Sequence, residues 1–133
     1  MSAQHEHPID PERVARKRGL SPDEARWLAS LLSLLADPVR VRILHALDVV
    51  EELCVGDLAL ALSATEDAVG YGLRMLRTAR LVATRKQGRV VFYRLAPEFP
   101  GPLRARVLRE LVATIPTDAA RSGVRPAGRR QGS

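Results

Sequence analysis

The segment that most constrains the fold of this chain is residues 51–94, where two short helices and a basic hairpin are predicted in direct succession. The first helix covers residues 55–62, and Ser63-Ala64-Thr65 forms the turn that follows it. The second covers residues 66–78, with Thr65 as its N-cap. Apolar residues recur along the second helix at spacings of four and three, which predicts a buried seam. The seam consists of Val69, Leu73 and Leu76.

After Arg80 the apolar pattern changes from helical to strand-like. Residues 81–84 and 90–94 are predicted strands, and residues 85–89 join them with Gly88 in the turn. A helix-turn-helix followed by such a hairpin is a winged helix-turn-helix. The predicted fold is therefore mainly α with a small β-hairpin, in the order α-α-α-α-β-β-α.

The remaining helices are predicted from their start signals. Ser21 can cap a helix and Glu24 can complete its capping box, while Asp37-Pro38 repeats the signal for the next helix, to about Leu47. A short helix is predicted over residues 11–18 and a last one over residues 103–115. The helix after Ser21 is apolar around most of its circumference, which favours burial against a second subunit.

Length and composition indicate a single domain. We expect a flexible N-terminal arm with a short helix at 1–20, the winged helix-turn-helix domain at 21–115, and a disordered basic tail at 116–133. The net charge of +6 and the pI near 10.6 favour a polyanionic partner. The single cysteine and the lack of a signal peptide indicate a cytoplasmic protein, and no nucleophile–base pairing suggests an enzyme.

Basic and polar side chains on the second helix and the hairpin are the candidates for DNA contact. A helix in the major groove needs outward side chains that reach base edges and cations beside the phosphates. Gly72 is also predicted to lie near the bases. Glu66 and Asp67 would repel the phosphates, which limits affinity or specificity. The candidate DNA-binding residues are Thr65, Tyr71, Arg74, Arg77, Arg85, Lys86 and Arg89.

Four motifs together resemble the ArsR/SmtB family of bacterial metal-responsive transcriptional regulators. They are LADPVRVRIL at 35–44, ELCVGDLA at 52–59, LRMLR at 73–77, and RKQGR at 85–89 with YRL at 93–95. The resemblance covers roughly residues 22–112. It implies a homodimer that pairs through its first and last helices, binds an imperfect inverted repeat in double-stranded DNA, and typically represses until metal binds.

The resemblance also implies two metal sites. The site on the last helix is predicted to be lost, because its positions correspond to Pro97, Phe99, Glu110 and Ala113, of which only Glu110 could bind metal. The other site would use Cys54 and Asp57, with His5 and His7 from the partner's N-terminal arm. One thiolate, two imidazoles and a carboxylate suit a divalent metal ion such as zinc, nickel or cobalt.

Simpler interpretations of these residues stay open. A lone cysteine is more often a small buried apolar residue, and Asp57 can cap the helix after Cys54. The input to a DNA-binding regulator could instead be thiol chemistry at Cys54 or a partner protein. A further alternative is a dimeric interaction subunit with weakened DNA binding.

Overall fold

The computed structural model describes residues 10–116 of the 133-residue chain. The described residues fall into two compact units, 10–36 and 37–116, which are described separately below. The predicted arm residues 1–9, with His5 and His7, lie outside the described residues, as does the tail from residue 117 onward. No helix in the described range is long and apolar enough to cross a membrane.

The first unit contains two helices, α1 (Pro11–Arg16) and α2 (Pro22–Leu35). The predicted capping box of α2 is confirmed, because the Ser21 hydroxyl accepts from the Glu24 amide at 3.1 Å and the Glu24 carboxylate accepts from the Ser21 amide at 3.0 Å. None of the α2 residues is buried, and Trp27 is 65% exposed. The apolar surface predicted for this helix is therefore open to solvent in the single chain.

Three helices form most of the core of the second unit: α3 (Pro38–Val49), α4 (Val55–Leu62) and α5 (Glu66–Thr78). Asp37 caps α3 as predicted, with its carboxylate accepting from the Arg40 amide at 3.0 Å. The predicted seam of α5 is confirmed, since each of its three side chains is buried. The largest fully buried side chains are Ile43, Leu44, Leu47, Leu58, Val69, Leu73, Leu76 and Leu108.

Gly72 allows α3 and α5 to approach closely. A Cβ atom at this position would lie 3.0 Å from Cδ1 of Ile43 and 3.5 Å from Cγ of Arg40. The prediction that Gly72 lies near the DNA bases is therefore wrong. Gly72 is buried and faces α3, where a Cβ atom would require the Ile43 side chain to move by a few tenths of an ångström.

The sheet has three strands, one more than predicted: β1 (Leu53–Cys54), β2 (Val82–Gln87) and β3 (Val90–Leu95). They are antiparallel in the order β1-β3-β2. A two-residue strand is too short to show an alternating pattern, which is why β1 was not predicted. The hairpin is also tighter than predicted, since β2 extends to Gln87 and leaves a two-residue turn in which Gly88 has φ +63°.

The strand register assigns Cys54 to the outer face of the sheet. Cys54 pairs with Phe92 and Phe92 pairs with Arg85, so these three side chains share one face. Val82 and Leu95 belong to the opposite face and are buried in the core. The cysteine, the aromatic ring and the guanidinium therefore form one row across all three strands.

The C-terminal helix is π-helical over Leu103–Leu111, where an α-helix to Ile115 was expected. Leu103 and Leu108 are its buried side chains, and their spacing of five matches the i→i+5 winding. Leu111 and Ile115 are exposed. The apolar side chains of residues 103–115 are thus divided between the core and the surface.

A carboxylate near the end of α3 binds two arginines of the C-terminal helix and so joins that helix to the core. Asp48 accepts from Nε of Arg104 at 2.6 Å and from the Arg109 guanidinium at 2.9 and 3.1 Å. The Asp48 side chain is only 7% exposed. The bonds from Arg109 and Arg104 outweigh desolvation and lower the pKa of Asp48 to about 2. The two arginines are again five residues apart, as i→i+5 winding requires.

Candidate nucleic-acid interface

The turn between α4 and α5 is fixed by its own polar groups. Ser63 ends α4 in the left-handed conformation, with φ 51°. An Arg42 guanidinium nitrogen donates to the Leu62 carbonyl at 2.9 Å, which satisfies one carbonyl at this helix end. Thr65 is the N-cap of α5, as predicted, and its hydroxyl oxygen accepts from the Ala68 amide at 3.0 Å. The Thr65 O–H is left to donate to a ligand.

Tyr71, Arg74 and Arg77 lie on the solvent side of α5, opposite its buried seam. The Arg74 guanidinium carbon lies 5.7 Å from the centroid of the Tyr71 ring, within the range of a cation–π contact. The outer face of α5 thus presents one arginine–tyrosine pair and one further exposed arginine.

Glu66 is directed toward α4. Its Oε2 atom lies 3.6 Å from the position that a Cβ atom on Gly56 would occupy, in the first turn of α4. A carboxylate near a helix N-terminus is favourable because it interacts with the exposed amides and the helix dipole. Asp67 is exposed in the first turn of α5.

Arg85 is the candidate whose environment differs most from the prediction. It was expected in the hairpin turn but lies within β2, where its guanidinium binds Glu52 through three contacts of 2.7–3.2 Å. It also lies 4.8 Å from the centroid of the Phe92 ring. Arg94 approaches the same carboxylate at 3.7 Å. The hydrogen bond from Arg85 lowers the pKa of Glu52 and raises that of Arg85.

Sequence reasoning missed Glu52, because it precedes Arg85 by 33 residues. Only the pairing of β1 with β3, and of β3 with β2, brings the two side chains together. The cations that remain near the turn are Lys86, in the last pairs of β2, and Arg89, in the turn itself. Both are exposed.

The exposed cations that form neither an ion pair nor a hydrogen bond within residues 37–116 are concentrated on α5 and the hairpin. Most arginines elsewhere in the described range form ion pairs, as Arg104 and Arg109 do with Asp48. Among residues 37–116, the exposed cations whose side chains form neither an ion pair nor a hydrogen bond all follow the turn at Ser63. They are Arg74, Arg77, Arg80, Lys86 and Arg89. These five cations are called the free basic cluster below.

The structure places two of the four candidate metal ligands in adjacent elements. Cys54 ends β1 and is the N-cap of α4, and its half-buried thiol makes no capping hydrogen bond. Asp57 is exposed in the first turn of α4 and is not the N-cap residue. Within residues 10–116 no group of three or more His, Cys, Asp or Glu residues could hold a metal. A complete site would need ligands such as His5 and His7, which lie outside this range.

The positions of the second family metal site carry other contacts. Glu110 binds the Arg106 guanidinium at 2.6 Å. Phe99 is buried, and with Pro97 it lines a cavity of about 260 Å³ between the end of β3 and the C-terminal helix. The loss of this metal site stays a prediction.

Comparisons with known proteins agree with this geometry. The profile described as "Bacterial regulatory protein, arsR family" matches residues 37–84. A "Transcriptional repressor SmtB homolog" from Synechocystis sp. is 44% identical over 66% of this chain and 66% of its own length. The chain thus spans just under two thirds of that relative. A "Cadmium resistance transcriptional regulatory protein CadC homolog" from Staphylococcus aureus is 31% identical over 68% of this chain and 75% of its own length.

Solved structures show the same fold. The AntR antimony-specific transcriptional repressor is 30% identical, with a TM-score of 0.62, and the match covers 80% of this chain and 92% of that one. Its similarity extends well beyond residues 37–84. The profile, the relatives and the winged helix-turn-helix geometry agree, and the family consists of regulatory proteins, not enzymes. The chain belongs to the ArsR family of bacterial regulatory proteins.

Proposed function

We propose that this chain is a DNA-binding transcriptional regulator that acts as a homodimer on an inverted repeat. The observation that carries the proposal is the free basic cluster, because its cations follow the helix-turn-helix turn while most other arginines are neutralised internally. In this proposal α5 is the recognition helix in the major groove, with Tyr71, Arg74 and Arg77 facing the DNA and Thr65 at its N-terminus. Lys86 and Arg89 contact phosphates from the hairpin.

The dimer is proposed to form through α2 and the C-terminal helix. The exposed apolar side chains of α2 include Trp27, Leu28 and Leu32, and those near the chain's other end include Leu111 and Ile115. Two short apolar surfaces left open on a monomer are typical of a protein that buries them in association. A dimer also sets the distance between two recognition helices, which must match successive major grooves.

Metal responsiveness is the proposed form of regulation. Cys54 and Asp57, together with His5 and His7, offer one thiolate, one carboxylate and two imidazoles, a ligand set suited to zinc, nickel or cobalt. Relatives support a metal effector, since their names specify cadmium resistance and antimony. A bound metal would tie the N-terminal arm to the start of α4.

The position of Cys54 gives a route from such a site to the DNA-binding elements. Cys54 is the N-cap of α4, and in the sheet it pairs with Phe92, which in turn pairs with Arg85. A ligand held at Cys54 therefore acts on the first helix of the helix-turn-helix and on the hairpin together. The change in DNA affinity cannot exceed the difference in metal affinity between the two dimer conformations.

A DNA-binding titration tests the central proposal. The probe is the promoter region of the gene that encodes this chain, and the variants are Arg74→Ala and Arg77→Ala. Lys17→Ala is the matched control, because it removes one exposed positive charge from the other unit. We expect both α5 variants to lose roughly tenfold or more in affinity while the control binds like the parent protein. Equal binding by all four proteins would favour the alternative of a dimeric interaction subunit with weakened DNA binding.

Calorimetry with zinc, nickel and cobalt tests the metal site. Binding should be lost in Cys54→Ser and in a protein that lacks residues 1–9. If the truncated protein binds metal as the full chain does, the arm histidines are not ligands. If metal has no effect but oxidation of Cys54 releases DNA, regulation is by thiol chemistry. If neither changes DNA binding, a partner protein becomes the better explanation.

A further inference from the structure

Arg80 occupies a backbone conformation that favours glycine. It is the second residue after the end of α5 and has φ +64°. The Leu81 amide donates to the Leu76 carbonyl at 2.9 Å, and the Arg80 amide donates to the Arg77 carbonyl, also at 2.9 Å. This pair of bonds is a Schellman motif, whose left-handed residue is usually glycine because a Cβ atom is strained there.

The chain uses left-handed residues at other turns, and they show how such strain can be offset. Arg18, with φ 68°, forms an ion pair with Glu24 at 2.6 Å. Ser63 has a small side chain, and Gly88 has none. Arg80 is the large side chain in this group that makes neither an ion pair nor a hydrogen bond within residues 10–116. The two backbone hydrogen bonds hold Arg80 in this conformation, but no side-chain contact inside the described part of the chain favours an arginine over a glycine there.

We propose that the Arg80 guanidinium contacts a DNA phosphate between the recognition helix and the hairpin. Strained residues persist where their side chain has a function, and a positive charge on a DNA-binding surface has one. Arg80 is exposed, follows Arg77 of α5 and precedes β2, so it joins the two proposed DNA-binding elements. This assignment rests on the proposed DNA-binding function and adds a contact that fixes position on the backbone.

If Arg80 has only a structural role, its substitution should have different effects. A cation at the C-terminus of a helix interacts favourably with the helix dipole, so Arg80 could stabilise α5 without touching DNA. In that case loss of the charge would lower the melting temperature and leave the salt dependence of DNA binding unchanged. If Arg80 contacts a phosphate, loss of its charge must reduce the salt dependence of DNA binding, because each neutralised phosphate releases counterions.

Three substitutions separate strain from charge. Arg80→Gln removes the positive charge but keeps a side chain at positive φ. Arg80→Lys keeps the charge and the side chain, and Arg80→Gly removes the charge and the side chain. Each is measured for melting temperature and for affinity to the promoter fragment over a series of salt concentrations. Ser63→Gly is the matched control, because it relieves the same kind of left-handed strain after α4 without changing charge.

We expect Arg80→Gly to raise the melting temperature by about 2–5 °C while lowering DNA affinity roughly three- to tenfold. Arg80→Gln should lower affinity similarly, and both should reduce the slope of log affinity against log salt by about 0.9 per contact. Arg80→Lys should keep the parent slope, and Ser63→Gly should gain stability with an unchanged slope.

Two results would overturn the assignment, and they differ from failure of the proposed function. If the parent protein binds DNA but the slopes of Arg80→Gln and Arg80→Gly equal the parent slope, Arg80 does not contact phosphate. A melting temperature that falls in Arg80→Gln, with the slope unchanged, assigns Arg80 to the helix dipole. If the parent protein itself ignores duplex DNA at low salt, the proposed function fails first.

Discussion

At the scale of single residues, Asp48 is the group whose chemistry contributes most clearly to stability. Its carboxylate is nearly buried, and its hydrogen bonds to Arg109 and Arg104 join α3 to the C-terminal helix. Removal of one partner from such a cluster is costly because the remaining charges lose their compensation. The C-terminal helix is also a proposed dimer element, so this single side chain bears on assembly.

The lowered pKa of Asp48 predicts loss of stability in acid. Because the folded-state pKa of about 2 is below the ordinary aspartate pKa of 3.8, the stabilisation is complete above about pH 4. It is lost as the pH falls toward 2. We expect it to be worth about 1–2 kcal/mol, since the two guanidiniums are partly exposed. Urea unfolding of the parent protein and Asp48→Asn between pH 7 and 2 measures this.

Asp48→Asn should be less stable than the parent protein at pH 7, and the difference should shrink as the pH falls toward 2. Asp67→Asn is the control, because Asp67 is an exposed carboxylate on α5 with no ion pair in the described range. A constant difference between Asp48→Asn and the parent at every pH would show that the Asp48 charge does not stabilise the fold.

Residue-level predictions succeeded where the signal was local. The caps at Ser21, Asp37 and Thr65 were predicted because each acts within three residues of its partner. The Glu52–Arg85 pair was not, because the partners meet only after three strands have assembled. Distance along the chain, more than residue type, separated what the sequence could predict from what it could not.

At the scale of elements, the contact between α3 and α5 sets the position of α5, the proposed recognition helix. Gly72→Ala would place a Cβ atom 3.0 Å from Ile43 Cδ1, so the buried Ile43 side chain must move by a few tenths of an ångström. We expect a destabilisation of about 1–3 kcal/mol. Gly70→Ala, two residues earlier on the same helix, meets only the flexible end of Arg74 at 3.9 Å. It should be neutral or stabilising by up to about 1 kcal/mol. Thermal unfolding of both variants measures the difference.

Equal stability of the two alanine variants would contradict the close approach at Gly72. Both substitutions add one methyl group to the same helix, so their helix propensities cancel in the comparison. Any remaining difference therefore reports the packing of α5 against Ile43.

The ion pair between Glu52 and Arg85 is predicted to position the hairpin instead of contacting DNA directly. Glu52→Gln and Arg85→Gln should each lower DNA affinity roughly three- to tenfold, and the double variant should be no weaker than either single variant. Fluorescence anisotropy with a labelled promoter fragment measures all three, with Glu98→Gln as the exposed control. Tighter DNA binding by Glu52→Gln would instead show that Arg85 contacts phosphate once its carboxylate partner is removed.

Element prediction failed where tertiary contacts override the local pattern. The two residues of β1 form a strand only because β3 lies beside them, and no period can be recognised in so short a segment. The C-terminal helix carries an apolar pattern that suits an α-helix. However, its two core residues, Leu103 and Leu108, are five positions apart, and so are the two arginines that bind Asp48. Both spacings follow the wider i→i+5 winding.

At the scale of the whole molecule, the proposed function requires two copies of the chain. A single α5 can contact one half-site. The free basic cluster alone gives salt-dependent affinity but does not select the distance between two half-sites. In the proposed dimer, the pairing of the two copies sets the distance between the half-sites, so the exposed apolar side chains of α2 would determine specificity indirectly. A surface built for association has to remain apolar even though it is open in the single chain.

Association can be followed with the chain's one tryptophan, because Trp27 lies on α2 and is 65% exposed. If α2 is buried in the dimer, dilution should shift the Trp27 emission to longer wavelength as sedimentation velocity reports the change from dimer to monomer.

Leu32→Glu on the same helix should give monomer at concentrations where the parent is dimeric, since it places a charge in an apolar interface. Leu60→Glu is the control: Leu60 is 81% exposed, lies on α4 and has no part in the proposed interface. A dimeric Leu32→Glu protein with parent-like emission would exclude α2 from the interface, and the spacing of the recognition helices would then have to be set elsewhere.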